Sequence, residues 1–329
     1  MKYIILIIVT VTCSLPACKK ETEHAEKTQK NKKIKKRSTS KFQKNGKLIK
    51  NSKIQTDIKN APKEDFSKMT TDELFEILKS SRVTDLKKIY SELLKRKDGI
   101  IEKAMSRTQS ANNFERLNAV KLLGHANLKS PKIASHLAKL MLKEQRFQIR
   151  VMIVDSIALN GLYDASTVNA FKTGLSDSVP LVKWQTVKSI GTFGTKAIEF
   201  KNLIIPLLKD EKYWMRHASA LSLWKISPGE KIGATALAQE SGAKGRKEMM
   251  ALVKALGQIK NHPEIVVPAL VKLLNSKNKS IARTAAISLG NLGKGASGAI
   301  KSLEAATKSK DYSISKHASD AIKKIKESQ

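Results

Sequence analysis

The stretch KSIARTAAISLGNL, residues 279–292, decides the fold. Its apolar and small residues Ile281, Ala285, Ala286, Leu289 and Leu292 follow one another at steps of four, one, three and three. That spacing draws one stripe along a helix of about 3.6 residues per turn, whereas a strand would alternate by two. The Gly-containing stretch from Gly290 to Gly298 breaks the helix, and Ala299, Leu303 and Ala306 resume a second one. The unit is therefore helix, turn, helix and a short link.

Moving outward, the same unit recurs. Leu123, Ile157, Ile190, Leu223, Leu256, Leu289 and Ile322 are separated once by 34 and then five times by 33 residues. Fourteen positions after each of the first six fall Leu137, Phe171, Ile204, Leu237, Leu270 and Leu303; three positions before the column stand Val120, Val154, Val187, Ala220, Val253, Ala286 and Ser319. Such a unit cannot bury its apolar face alone, so the chain is predicted to be all-α, an α-solenoid of antiparallel helix pairs with a period of about 33 residues. Pro131, Pro180 and Pro263 lie near helix starts, where the missing N–H costs nothing. Pro206 and Pro268 fall inside second-helix stripes and predict a delayed start or a kink.

From these residues the chain resembles HEAT repeats, in particular the short HEAT-like type named after phycobilisome lyases, over residues 113–329. That resemblance implies a first helix opened by an acid, a base about six positions later, and then small residues and Leu-Gly. Glu144 with Arg150, Asp177 with Lys183, and Asp210 with Arg216 match it in three successive units. Ala243 with Met249, Ser276 with Ala282, and Ser309 with Ser315 lack both members. Joint presence and joint loss point to structural ion pairs at the helix starts. The competing reading is an anion site built from Arg116, Arg150, Lys183 and Arg216.

The N-terminal region carries an address. After Met1-Lys2, the apolar run from Tyr3 to Thr12 is too short to span a bilayer, which takes roughly 20 residues, and it reads as a secretory signal. Leu15-Pro16-Ala17-Cys18 resembles the lipobox of bacterial lipoproteins, with Pro16 a departure, and implies cleavage after residue 17 and acylation of Cys18. Cys13 lies inside the signal; once it is removed, no thiol is left for a disulfide, for catalysis or for a metal. Lys19-Lys20 follows Cys18 where an Asp would mark inner-membrane retention, so the outer membrane is the expected address within a bacterial envelope.

Residues 18–66 read as a basic disordered tether: from Lys27 to Lys53 there are twelve basic residues and no acid. Residues 67–112 read as N-terminal capping helices with a degenerate repeat. There, Thr70 to Glu73 forms a capping box and Tyr90 stands 33 before Leu123. The chain carries a net charge of +33, of which +22 lies beyond residue 66. Lys139, Lys143, Lys172, Lys209, Lys272 and Lys308 lie on or beside second helices, which the resemblance places on the concave face. They form a candidate basic binding surface, with Trp184 and Trp214 as a candidate aromatic patch.

No catalytic constellation assembles. Gly293-Lys-Gly-Ala-Ser-Gly298 spells a dinucleotide fingerprint but follows a helix where such a site needs a strand. Lys172-Thr173-Gly174 lacks the companion motifs of penicillin-binding enzymes, and the six His residues show no metal spacing. The expectation is a non-enzymatic, membrane-anchored scaffold that binds acidic protein partners and needs no cofactor or metal. The alternatives are a lyase-like enzyme related to the chromophore lyases, which a pigment adduct would reveal, or a nucleic-acid-binding solenoid, which secretion disfavours.

Overall fold

The computed structural model describes residues 65–80, 85–96, 99–240 and 245–328; the signal, Cys18 and the tether up to residue 64 lie outside them. Within this part the chain is a succession of helices with no strand among the described residues. A 3-10 turn at Phe66–Lys68 leads to α1 (Thr71–Ile77), α2 (Leu86–Lys95) and α3 (Ile100–Arg107). The repeats follow as α4 (Asn113–His125) with α5 (Pro131–Lys143), α6 (Phe147–Asn160) with α7 (Ala165–Leu175), and α8 (Pro180–Thr192) with the short α9 (Lys201–Ile204). Then come α10 (Tyr213–Ile226) with α11 (Lys231–Gln239), α12 (Arg246–Leu256) with α13 (Pro263–Leu274), α14 (Lys279–Asn291) with α15 (Ile300–Thr307), and finally α16 (Tyr312–Glu327). From α4 onward the even-numbered helices are the first helices of their units and the odd-numbered ones the second.

Local chemistry sets the boundaries. The Thr70 hydroxyl accepts from the Glu73 N–H while the Glu73 carboxylate accepts from the Thr70 N–H, closing the capping box before α1. Pro131, Pro180 and Pro263 open α5, α8 and α13. Gly161 and Gly194, one period apart, take φ values of +72° and +58° where the chain leaves a first helix. At Pro206 the helix is interrupted: α9 stops at Ile204 and continues as a 3-10 turn, Ile205–Lys209. Pro268 is instead carried inside α13. The stretch Gly293–Ala299 is a 3-10 turn between α14 and α15.

The three sequence columns are the core. Leu123, Ile157, Ile190, Leu223, Leu256 and Leu289 are at most 1% exposed, and Leu137, Phe171, Ile204, Leu237, Leu270 and Leu303, facing them from the second helices, are fully buried. Ile322 is only partly buried and Ser319 is exposed. Phe66, assigned to the tether from sequence, is buried in the same core as Leu74, Phe75 and Leu93. The core falls into two clusters, one from Phe66 to Ile226 and the other from Ala220 to Ile325, with Leu208 packed against both.

A recurring contact draws the first helices together. Ser156, Ser222 and Ser288 each donate a buried hydrogen bond to a carbonyl one unit earlier, those of Val120, Val187 and Val253, at 2.9, 2.8 and 3.1 Å. Each serine is seated against a glycine, and a Cβ on Gly124, Gly191 or Gly257 would come within 2.6–2.7 Å of the serine hydroxyl. Where the glycine is replaced the contact lapses. Ala158 stands at the glycine position before Ser189, and the Ser189 hydroxyl is buried without a partner. Trp224 and Ala255 replace both members between α10 and α12, at the boundary of the two clusters.

In a curved two-layer stack, the layer with the shorter helix spacing lies on the inside. The glycine–serine contacts give that spacing to the first helices, while the second-helix layer is interrupted by 3-10 turns. These contacts favour the first helices as the inner layer, where the resemblance places the second helices.

Candidate functional site

The charged helix starts form a ladder whose rungs run between units. Arg150 Nε and Nη2 donate to the two oxygens of Asp177 in the next unit at 2.7 and 3.0 Å, and its Nη1 donates to the backbone carbonyls of Glu144 and Gln145 at 3.2 and 2.9 Å. Arg116 repeats the arrangement with Glu144 and the carbonyls of Ser110 and Ala111. Arg216 does so with Glu240 and the carbonyls of Asp210 and Glu211. The acids also brace their own loops, since Glu144, Asp177 and Asp210 each accept from the backbone N–H two residues on, at 2.8 Å. The predicted pairing of each acid with the base of its own unit is thus corrected. The base reaches forward to the next acid, because a guanidinium can grip its own loop carbonyls and a neighbouring carboxylate at once.

One rung differs. Lys183 occupies the position of Arg150 and Arg216, and no ion pair joins it to Asp210 among the described residues. An ammonium on a flexible stem cannot fork between carbonyls and carboxylate as Arg does. Arg116, Arg150 and Arg216, three of the four residues of the competing anion-site reading, are each held by a carboxylate. The depression of about 600 Å³ beside the Arg150–Asp177 rung leaves Lys172 as its one lysine.

The first-helix layer carries a different set of residues, on α4, α6, α8 and α10. Asp155 accepts from Gln185 Nε2 at 2.8 Å, and Gln185 Oε1 accepts from Lys188 Nζ at 3.2 Å. The Lys188 ammonium lies 4.1 Å from the centre of the Trp184 ring. Trp184 meets Trp214 edge to face, with ring centres 6.0 Å apart at 81°. Burial pushes the Asp155 carboxyl above the usual carboxylate range, although Lys188, His125 and Lys121 pull it down. Burial likewise lowers Lys121 and Lys188, with Asp155 acting the other way, and it lowers Lys225. Lys188 shows this although much of its surface is exposed, because its charged end rests on the indole. Lys121 and Lys188 face one carboxylate, and neither they nor Lys225 is in an ion pair among the described residues. Perturbed ionisable groups on the first-helix face make it the candidate site.

Residues 246–323 match the family model for HEAT repeats. The earlier units continue the same HEAT-like pattern in the same register. Among solved structures, YibA of Escherichia coli is similar over 89% of this chain and 99% of its own, at 19% identity and a TM-score of 0.58. That is a likeness of fold. The complex of CpcE and CpcF of phycocyanin lyase from Nostoc (15% identity, 88% of this chain and 100% of that chain, TM-score 0.45) and an archaeal HEAT-like repeats protein from Thermococcus onnurineus (16%, 79% and 98%, 0.38) are more distant. No curated protein matches. The chain thus has a HEAT-repeat scaffold fold of the kind consistent with protein binding.

Within this HEAT-like solenoid the residues singled out from sequence are dispersed. Lys139, Lys143, Lys172, Lys209, Lys272 and Lys308 are exposed or part-exposed on or beside second helices, the outer layer. Trp184 and Trp214 are on the inner layer and in mutual contact. Cys18 lies outside the described residues. Among the described residues no helix is long and apolar enough to cross a membrane, and no cluster of His, Cys, Asp and Glu could hold a metal. Lys121, Asp155, Gln185 and Lys225 were not anticipated. Lys121 and Asp155 fall in the column two before the Leu/Ile column, with Lys188, Leu221, Lys254 and Ile287; charge there is what any solvated helix face carries, so the sequence does not mark these residues out.

Proposed function

We propose that this chain is a non-catalytic binding scaffold of the bacterial cell envelope, held to the membrane through acylated Cys18 and carried on its basic N-terminal stretch, with the concave layer of first helices as its ligand surface. The observation that carries the ligand surface is Lys188, which has no ion pair among the described residues and rests on the Trp184 ring beside Trp214. An unpaired, partly desolvated cation is costly unless something compensates it, and in a binding protein a ligand does so. The acyl chains supply the anchor that an apolar run as short as Tyr3 to Thr12 cannot, since each buried CH₂ contributes about 0.8 kcal/mol. Outer-membrane placement follows from Lys19-Lys20 after the cysteine.

The test uses the full chain in its native envelope. Fatty-acid label is expected on the wild type and lost in Cys18→Ala. A photocrosslinking residue at position 188 is expected to capture a partner that the same residue at position 172, on the outer layer, does not. Capture only from position 172, or retention of the chain in the cytoplasm with salt-dependent DNA binding, would refute the reading.

A further inference from the structure

Resting on the assignment of the concave layer as the ligand surface, we propose that the site formed by Lys121, Lys188, Lys225, Trp184 and Trp214 takes an extended acidic peptide segment of a partner protein. Three features select that occupant. The lysines sit on α4, α8 and α10 and so are spread along the solenoid axis rather than gathered around a point. A compact anion such as a single phosphate cannot reach from α4 to α10; a chain with spaced carboxylates can.

Asp155 lies among them. One of its oxygens is engaged by Gln185, and the other is left to accept a hydrogen bond. A carboxylate in this place repels any anionic group brought against it, so the peptide's acids must lie to either side, and it matches the N–H groups that an extended peptide presents between its side chains. The third feature is the Trp184–Trp214 pair. Both rings are part-buried and meet edge to face, with the ammonium groups of Lys188 and Lys212 over Trp184 and Trp214, so they offer a fixed aromatic platform bordered by positive charge for one large side chain of the peptide. Charge, hydrogen-bond acceptor and apolar platform together describe a peptide with alternating acidic and apolar residues.

The length follows from the helix spacing. Packed helices stand roughly 8–10 Å apart, so the three steps from α4 to α10 span about 27 Å, and an extended chain at about 3.4 Å per residue covers that with about eight residues.

The experiment measures fluorescence anisotropy of a labelled octapeptide, Glu-Tyr-Glu-Leu repeated twice, on the full chain in detergent at roughly physiological salt, against a counterpart with Gln for every Glu. The acidic peptide is expected to bind, and the neutral one to bind at least about tenfold more weakly. Lys188→Gln and Lys225→Gln should each weaken binding roughly three- to tenfold, and Lys188→Arg should restore it. Trp214→Ala should weaken it as well, whereas Lys172→Gln and Lys272→Gln on the outer layer should leave it unchanged.

Equal binding of the two peptides, or no binding of either, overturns the proposal. So does inorganic polyphosphate that binds more tightly than the peptide and is indifferent to Trp214→Ala, because the site would then be a polyanion site. If peptide binding is lost in the outer-layer variants and kept in Lys188→Gln, the assignment of the concave layer fails with it. If the peptide does not bind while crosslinking through position 188 persists, only the acidic-peptide class fails.

Discussion

Replacing Gly191 by Ala tests the contact that holds the first helices together. The added Cβ would stand 2.7 Å from the Ser222 hydroxyl, 3.1 Å from its Cβ and 3.2 Å from its Cα. Ser222 is buried, and its hydroxyl donates to the Val187 carbonyl at 2.8 Å. Turning the hydroxyl away from the new methyl group leaves two buried polar groups without partners, which costs about 1–3 kcal/mol. Keeping it in place forces α8 and α10 apart, and overpacking of that kind costs about 1–3 kcal/mol. Against this stands the better helix propensity of Ala, about 1 kcal/mol. The net destabilisation is therefore about 0–2 kcal/mol and is local to the two helices. Urea unfolding followed by far-UV circular dichroism should show a lowered midpoint, and hydrogen exchange should show the loss of protection concentrated in α8 and α10, since repeat arrays open unit by unit. Gly298→Ala is the control. Gly298 is exposed, and its added Cβ would meet nothing within 4 Å, so the midpoint should move by less than about 0.5 kcal/mol in equivalent stability. Adding Ser222→Ala to Gly191→Ala removes the nearest clashing atom, and the double variant should cost less than the sum of the two single ones. If Gly191→Ala unfolds at the same denaturant concentration as Gly298→Ala, close approach does not set the helix spacing, and the assignment of the concave face loses its basis.

Burial by itself would raise Asp177, but hydrogen bonds from Arg150 and the Val179 N–H, with the charges of Arg150 and Lys183, hold it below the usual carboxylate value. Its contribution is therefore present above the unfolded value of about 3.9 and is lost as pH falls through the lower folded value. Asp177→Asn should lower the unfolding midpoint at pH 7 and converge on the wild type in strong acid, whereas a gap of constant size across that range would contradict the ion-pair role. Lys183→Arg should complete the rung to Asp210 and raise stability by about 0.5–1 kcal/mol; a lowered thermal midpoint would show that the ladder does not extend through this unit. Leu223→Ala, at a fully buried position, should cost roughly 2–5 kcal/mol by denaturant titration, and an unchanged midpoint would mean that the column does not face the core.

Much of the fold is a local property and so could be read from the chain. Burial repeats every three or four residues along a helix, and the helix pair repeats every 33, so Leu123 and Leu137 declare their columns without knowledge of what lies across from them. The capping box at Thr70 and the helix starts at Pro131, Pro180 and Pro263 are local for the same reason, because the atoms that satisfy them lie within one turn. The acid and base columns were visible too, but not their connection. Arg150 lies six residues from Glu144 and 27 from Asp177, and sequence distance favours the wrong partner. Only the stacking of units brings Asp177 within 2.7 Å of the guanidinium.

The sequence alone, then, determined the helical repeat, its period, its buried columns and the basic character of the chain, because each depends on residues spaced along a single helix or on composition. The tertiary structure decided which first helices approach closely, how the charged rungs connect, and that Lys121, Asp155, Trp184, Lys188, Trp214 and Lys225 share the first-helix layer. Those outcomes depend on the distance between helices of successive units, and that distance is set by glycines and serines whose effect exists only once the helices are packed against each other.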